Sequence, residues 1–230
     1  MNIKDERQKQ QIGHRKRLRQ KLLSKGNKGL LDYEILELIL CSAHPRKDVK
    51  PIAKKLIEHF GTFAKVFFAD YSQLKQISGI GEVAISAIFC IREALNRILR
   101  ENIDKGTIIN QWQKLIEYLR IKIGNGSVEN FHILYLNTKY KLLADETQDV
   151  GTVNQTPLYV REIIKKSLFL EATSIIIAHN HPSGDAKPSK ADIEITNQLA
   201  RACSDVGITL IDHVIVTSNA HYSFKTHNLL

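Results

Sequence analysis

Two rhythms of apolar residues run along the chain, and they change over near its middle. In the first hundred residues the apolar positions recur every three to four residues, the repeat that lays one stripe along an α-helix. Leu18, Leu22 and Leu23 predict a short helix inside a polar, basic N-terminal segment. The run 30–41 (LLDYEILELILC) predicts a second, with acidic residues set between Leu31, Ile35, Leu38 and Ile39. Pro45 breaks it, and 48–61 gives a third helix with Pro51 in its first turn and Gly61 just past its end. That is where each residue's backbone is best suited. Two further helical stretches flank Gly79-Ile80-Gly81, the later one running from about Glu82 to Leu99.

Beyond the polar stretch 100–106 and a helix over 111–122, the pattern changes. NFHILYLN, KLLADE, TSIIIAH and ITLIDHVIVT are short apolar runs that read as strands, with helices expected at 159–170 and 189–205. Strands alternating with helices indicate an α/β domain. The chain therefore divides into an all-helical module, residues 1–105, and an α/β module, residues 106–230.

Charge sharpens this division. The 230 residues carry a formal charge of +9. Residues 1–105 hold 21 Lys+Arg against 12 Asp+Glu, whereas 106–230 hold 12 of each. Residues 1–30 alone carry ten basic and two acidic side chains. The excess belongs mainly to an N-terminal arm whose cluster is Arg15, Lys16, Arg17 and Arg19, which suggests an anionic partner. The longest mostly apolar run, Val83–Ile91, is far short of the roughly 20 residues that span a bilayer. The N-terminus lacks an apolar signal core. Cys41, Cys90 and Cys203 are odd in number and lie among apolar neighbours, so they read as reduced core cysteines. A cytoplasmic protein with no membrane partner is expected.

Two segments carry candidate chemistry. Leu74-x-x-Ile77-x-Gly79-Ile80-Gly81, followed by Ala84, Ala87 and Ile88, resembles a helix-hairpin-helix element, with Phe60-Gly61-Thr62-Phe63 as a degenerate first hairpin. Gly79 and Gly81 permit a tight turn whose amides, at the start of the next helix, suit a phosphate. DNA backbone is then a candidate partner. The same glycines also fit a turn that merely packs.

The second segment is 178–192, AHNHPSGDAKPSKAD. The preceding TSIIIA reads as a buried strand, so His179 and His181, two apart, point to one side. Asp192 lies three residues after Ser189 at the start of the following helix. By itself Ser189-x-x-Asp192 is also an ordinary N-cap with an acid in the first turn. Taken together, two imidazoles and a carboxylate supply three ligands and leave a fourth tetrahedral position for water, the layout of a catalytic zinc site.

At these residues the sequence resembles the JAMM metalloprotease signature, His-x-His-Pro-x6-Ser-x2-Asp. The longer HNHPSGDxxPSxxD, with GHRKRLRQKLL at 13–23, DVKPIAKKLI at 48–57 and the hairpin, resembles the bacterial RadC family over essentially the whole chain. The resemblance implies a JAMM domain, cytidine-deaminase-like in fold with a mixed sheet. It implies one Zn2+ per chain on His179, His181 and Asp192. Ser189 would help to hold a substrate oxyanion, and a glutamate before an early strand would work on the attacking water. Glu129 occupies the matching place; Glu146, which follows a strand instead of leading one, is the rival. The expected reaction is hydrolysis of a peptide or isopeptide amide. A DNA-associated accessory protein with an idle or structural metal site is the alternative, and attack on phosphodiesters is a third reading. His213 and His221 read as structural.

Overall fold

The computed structural model describes residues 3–25, 29–45, 47–104, 106–148 and 159–230. They form two compact units, Met1–Ala94 and Leu95–Leu230. The division falls inside a long helix and not at the polar stretch 100–106.

The first unit is helical, with α1 (Ile3–Lys25), α2 (Asp32–Ala43), α3 (Lys50–Phe60), α4 (Phe63–Phe68), α5 (Tyr71–Lys75) and the start of α6 (Glu82–Asp104). Local chemistry sets the ends. Pro51 lies in the first turn of α3, and Gly61 closes it at φ +82°. The Thr62 side chain accepts the Lys65 N–H to start α4. Asp70 and Gln73 bond reciprocally across the first turn of α5. Leu36, Leu40, Ile52, Leu56, Val66, Leu74, Ile80, Ala84 and Ile88 form one core.

Helix α1 is longer than the short one predicted. Its polar Lys, Arg and Gln residues favour helix without marking an apolar stripe, and Leu18 is buried within it. Helix α6 runs on through the predicted linker to Asp104, because nothing in 100–104 breaks it. Leu99 and Ile103 there pack into the second unit's core.

The second unit adds α7 (Trp112–Lys122), β1 (Phe131–Leu136), β2 (Leu142–Gln148), α8 (Val160–Phe169), β3 (Ser174–Asn180), α9 (Lys190–Asp205), β4 (Thr209–Val216) and β5 (His221–Ser223). The sheet order is β2-β1-β3-β4-β5. β3 and β4 are parallel and the other pairs antiparallel. The sheet is therefore mixed and the unit α/β. Leu134, Ile176, Val214 and Val216 pack on α7, while Ile133, Ile175 and Ile177 pack with Ile163 of α8 and Leu199 of α9. Apolar residues on both faces explain why β3 reads as an unbroken apolar run.

On the α7 face the Asp145 carboxylate accepts from the Tyr118 hydroxyl, lies 3.0 Å from His132 Nε2 and pairs with Arg100 at 3.0 Å. Burial pushes this carboxyl up, but the His132 and Tyr118 hydrogen bonds and the charge of Arg100 outweigh it and hold it at about 2.

The expectation that all three cysteines are core residues is corrected. Cys203 is buried, Cys41 half-buried and Cys90 exposed. Cys90 sits on the outward face of α6, where the apolar residues flanking it in sequence do not surround it in space. Among the described residues no helix is long and apolar enough to cross a membrane.

Candidate metal centre

The end of β3 delivers the two histidines. His179, wholly buried, continues the Ile175–Ile177 face, and His181 follows just past the strand. Ser189 caps α9: its hydroxyl oxygen accepts the Asp192 N–H at 3.1 Å, while the Asp192 carboxylate accepts the Ser189 N–H at 2.7 Å. The N-cap and candidate-ligand readings of Ser189-x-x-Asp192 thus describe one arrangement, since the cap is what turns Asp192 toward the histidines. Asp192 Oδ1 lies 3.3 Å from His179 Nε2 and Oδ2 lies 3.5 Å from His181 Nε2. The two Nε2 atoms are 2.9 Å apart.

Register brings in Glu129. Phe131 pairs with His179 at the end of the antiparallel β1–β3 ladder, and Glu129 lies two residues before it in the loop that leads into β1. Its Oε1 is 3.8 Å from His179 Nε2. One donor atom from each of Glu129, His179, His181 and Asp192 lies within 4.8 Å of the others. Glu146 is elsewhere: its carboxylate accepts from the Tyr135 hydroxyl at 2.7 Å and lies 3.9 Å from Lys166.

Hydrogen accounting fixes which nitrogen each histidine presents. His181 Nδ1 lies 2.7 Å from the Asp185 carbonyl and can only donate to it. The Thr196 hydroxyl donates its one hydrogen to the Asp192 carbonyl at 2.5 Å, so toward His213 Nδ1, 2.6 Å away, it accepts. Burial, with repulsion from His179, keeps His213 well below the usual histidine range and hence neutral. Its Nε2 then accepts from His179 Nδ1 at 2.7 Å. In their neutral forms both histidines therefore turn their Nε2 lone pairs toward each other and toward the Asp192 carboxylate.

Two imidazole nitrogens and a carboxylate converging in this way suit a cation among them. Four-coordinate zinc with ligand distances of about 2.0–2.1 Å spaces its ligand atoms about 3.3 Å apart; the Nε2–Nε2 separation of 2.9 Å and the His179 Nε2–Asp192 Oδ1 separation of 3.3 Å are near that spacing, and the other carboxylate oxygen lies 3.5 Å from His181 Nε2. The cluster can therefore hold a metal ion. The same demand for positive charge appears in the titration. With a proton on Nε2 as well, His181 donates to Asp192, and this hydrogen bond raises it against the opposing effect of burial. Burial pushes the Asp192 carboxyl up, but hydrogen bonds from His179 and His181 outweigh it and leave it far below the usual carboxylate range.

His213 touches His179 directly, a contact that reading it as a structural histidine did not anticipate. The missing signal is strand pairing: the parallel β3–β4 register sets His213 beside Ile177 and on the face of His179. His221 lies on β5, exposed.

In the first unit, Gly79 has φ +95°. Leu74, Ile77, Ile80, Ala84 and Ile88 around the hairpin are core residues, so their spacing is accounted for by packing. Gly81 accepts the N–H groups of Ala84 and Ile85 at the start of α6. Arg15, a member of the N-terminal basic cluster, is bonded within the unit. Its guanidinium donates to the carbonyls of His44, Pro45 and Lys47, the turn that follows α2. Lys16, Arg17 and Arg19 are exposed. The sequence places few charges beside the hairpin, but the fold adds Lys47 Nζ, 3.1 Å from the Gly79 carbonyl, and Lys55 Nζ, 2.6 Å from Ser78 Oγ.

A mixed sheet with paired histidines at a strand end and an aspartate at the next helix start defines a JAB-type domain. Residues 109–229 match the RadC-like JAB domain family, and residues 10–86 match the UPF0758 N-terminal family. A UPF0758 protein of Ruegeria pomeroyi is 39% identical over 217 residues, covering 94% of this chain and 97% of its own. Another, from Rhodobacter capsulatus, is 38% identical over 93% of this chain and 100% of its own. A third, from Fusobacterium nucleatum, is 40% identical over 97% and 99%. The chain belongs to the UPF0758 family and carries its RadC-like JAB domain.

Proposed function

We propose that this protein is a zinc-dependent hydrolase of peptide or isopeptide amides. The observation that carries the reading is the convergence of two histidine lone pairs and a carboxylate on one point, with a second carboxylate beside them. His179, His181 and Asp192 would hold the ion, and its nitrogen-rich donor set favours zinc. When bound, such an ion supplies carbonyl polarisation and a water of lowered pKa.

The chain's own residues then divide the work. Glu129, about 40% exposed at its side chain, is open to solvent and serves as general base, taking a proton from the attacking water and returning it to the leaving amine. Ser189 Oγ accepts one hydrogen bond in the cap and retains its own hydrogen to donate to the developing oxyanion. Asp185 and His213 keep both imidazoles presenting Nε2. The test is Glu129→Gln in the zinc-loaded protein, assayed on peptide and isopeptide libraries. The substitution is expected to keep zinc and lose about 10²–10⁴-fold in turnover. Full activity in this variant would refute the assignment, and cleavage of phosphodiesters alone would replace it.

A second reading concerns the helical unit. Lys47 and Lys55 beside the Gly79 turn favour a nucleic-acid phosphate contact there, with Lys16, Arg17 and Arg19 adding charge. In that case Lys47→Glu with Lys55→Glu weakens DNA binding and lowers its salt dependence by roughly one phosphate contact per lysine. Unchanged binding would remove the hairpin from the interface. If the zinc-loaded protein binds DNA but hydrolyses no amide, the metal site is structural and the protein is a DNA-associated accessory factor.

A further inference from the structure

Asn180 stands between the two histidines, on the opposite side of β3 from His179, and it is completely buried. Its side chain reaches the loop that carries Glu129. Oδ1 accepts the Asn130 N–H at 2.8 Å, and Nδ2 donates to the Val128 carbonyl at 3.0 Å and the Gly126 carbonyl at 3.3 Å. Val128 and Asn130 are the residues on either side of Glu129. We infer that Asn180 is a positioning residue that holds Glu129 over the metal centre by clamping the backbone before and after it. This inference rests on the reading of Glu129 as the general base.

Three features support it. The Glu129 side chain is 40% exposed, so burial alone does not fix its place over the metal centre. The loop precedes Phe131, where ladder pairing begins, and Asn180 bonds its backbone on both sides of Glu129. Gly126 completes the clamp by being small. A Cβ there would stand 3.2 Å from Asn180 Nδ2 and from the carbonyls of Ile123 and Val128. Consecutive residues thus serve the two sides of the strand end, since β alternation turns His179 to the metal centre and Asn180 to the loop. A carboxamide suits this position because it donates and accepts at once. Aspartate would still accept from Asn130 but would set an oxygen against two carbonyls.

The test uses the full-length zinc-loaded protein and a double-mutant cycle of Asn180→Ala with Glu129→Gln, because coupled residues give non-additive losses. Asn180→Ala is expected to lower kcat about 10- to 100-fold, the scale of a misplaced catalytic group, with zinc stoichiometry and KM within twofold of wild type. It should cost nothing further in the Glu129→Gln background. Hydrogen exchange at the Asn130 amide should accelerate while the β3 core amides stay protected, a readout that needs no substrate. Asn180→Asp should behave like Asn180→Ala. Should Asn180→Ala not fold, Gly126→Ala disturbs the same clamp from the loop side. Unchanged kcat, unchanged Asn130 exchange, lost zinc, or an additive loss with Glu129→Gln would each overturn the inference. Glu129→Gln with full activity would instead sink the base assignment, and this inference with it.

Discussion

Replacing Thr196 by valine tests the hydrogen-bond relay behind His179 with almost no change of shape. Thr196 and His213 are both completely buried, so water cannot stand in for the lost hydroxyl. The variant leaves His213 Nδ1 facing a methyl group where Oγ1 now sits 2.6 Å away. An unsatisfied buried donor costs about 1–3 kcal/mol. Moving the proton to Nε2 relieves that cost, but His213 then donates to His179, and His179 must carry its own proton on Nε2, where the metal would bind. Metal binding has to reverse this switch. A penalty of about 1–3 kcal/mol corresponds to roughly 5- to 150-fold weaker zinc, in line with the 10–100-fold typical of groups that orient a ligand. Chelator competition at fixed pH measures the affinity, and nitrogen NMR of the histidines reads the tautomers directly. Zinc affinity within twofold of wild type, with His179 still protonated on Nδ1 and stability unchanged, would show that Thr196 does not set the His179 tautomer.

Other consequences concern the scaffold. Asp145→Asn removes a carboxylate whose pKa, at about 2, lies below the roughly 3.9 of an unfolded chain. Its contribution to stability is therefore present above about pH 4 and lost as pH falls through about 2. The variant should be less stable by about 2.5 kcal/mol at pH 6, with the gap closing in acid; denaturant melts that differ equally at pH 6 and pH 2 would contradict this. Gly79→Ala should cost more than about 1 kcal/mol, because φ is +95° and the new Cβ would meet Ile52 Cδ1 at 3.2 Å. Gly81→Ala meets nothing within 4 Å and should be neutral or stabilising by up to about 1 kcal/mol; a reversed order would show that the turn is misread. Ile177→Ala, in the wholly buried centre of β3, should lose about 2–5 kcal/mol in a denaturant melt, and a loss below 1 kcal/mol would argue against that packing.

Much of this architecture is legible along the chain because it rests on local signals. The apolar periods give the helices and strands, and Pro51, Gly61 and Ser189 mark element ends by their own backbone chemistry. The pair His179 and His181 is visible because strand alternation puts residues two apart on one face. What the chain hides depends on pairing. His213 and Thr196 lie 34 and 17 residues from their partners in the relay, and only the β3–β4 register and the packing of α9 bring them together. Asn180 is silent for a related reason: its role appears only when the loop 126–130 folds against the far side of β3. The extent of α1 is obscured because polar helix formers leave no apolar stripe, and the far end of α6 because its one buried residue past Leu99, Ile103, stands among charged and polar neighbours. Arg15 belongs to the same class. A basic cluster suggests an anionic partner, but one of its members is bonded to carbonyls of the turn after α2.

The most direct test of the account is a zinc titration of the metal-free full-length protein, comparing wild type with Asp192→Ala. The account predicts one tightly bound ion per chain in wild type and binding weakened by several orders of magnitude in the variant, since a bound carboxylate ligand is removed from a three-residue site. Absence of stoichiometric binding in wild type, or undiminished binding by Asp192→Ala, would contradict it.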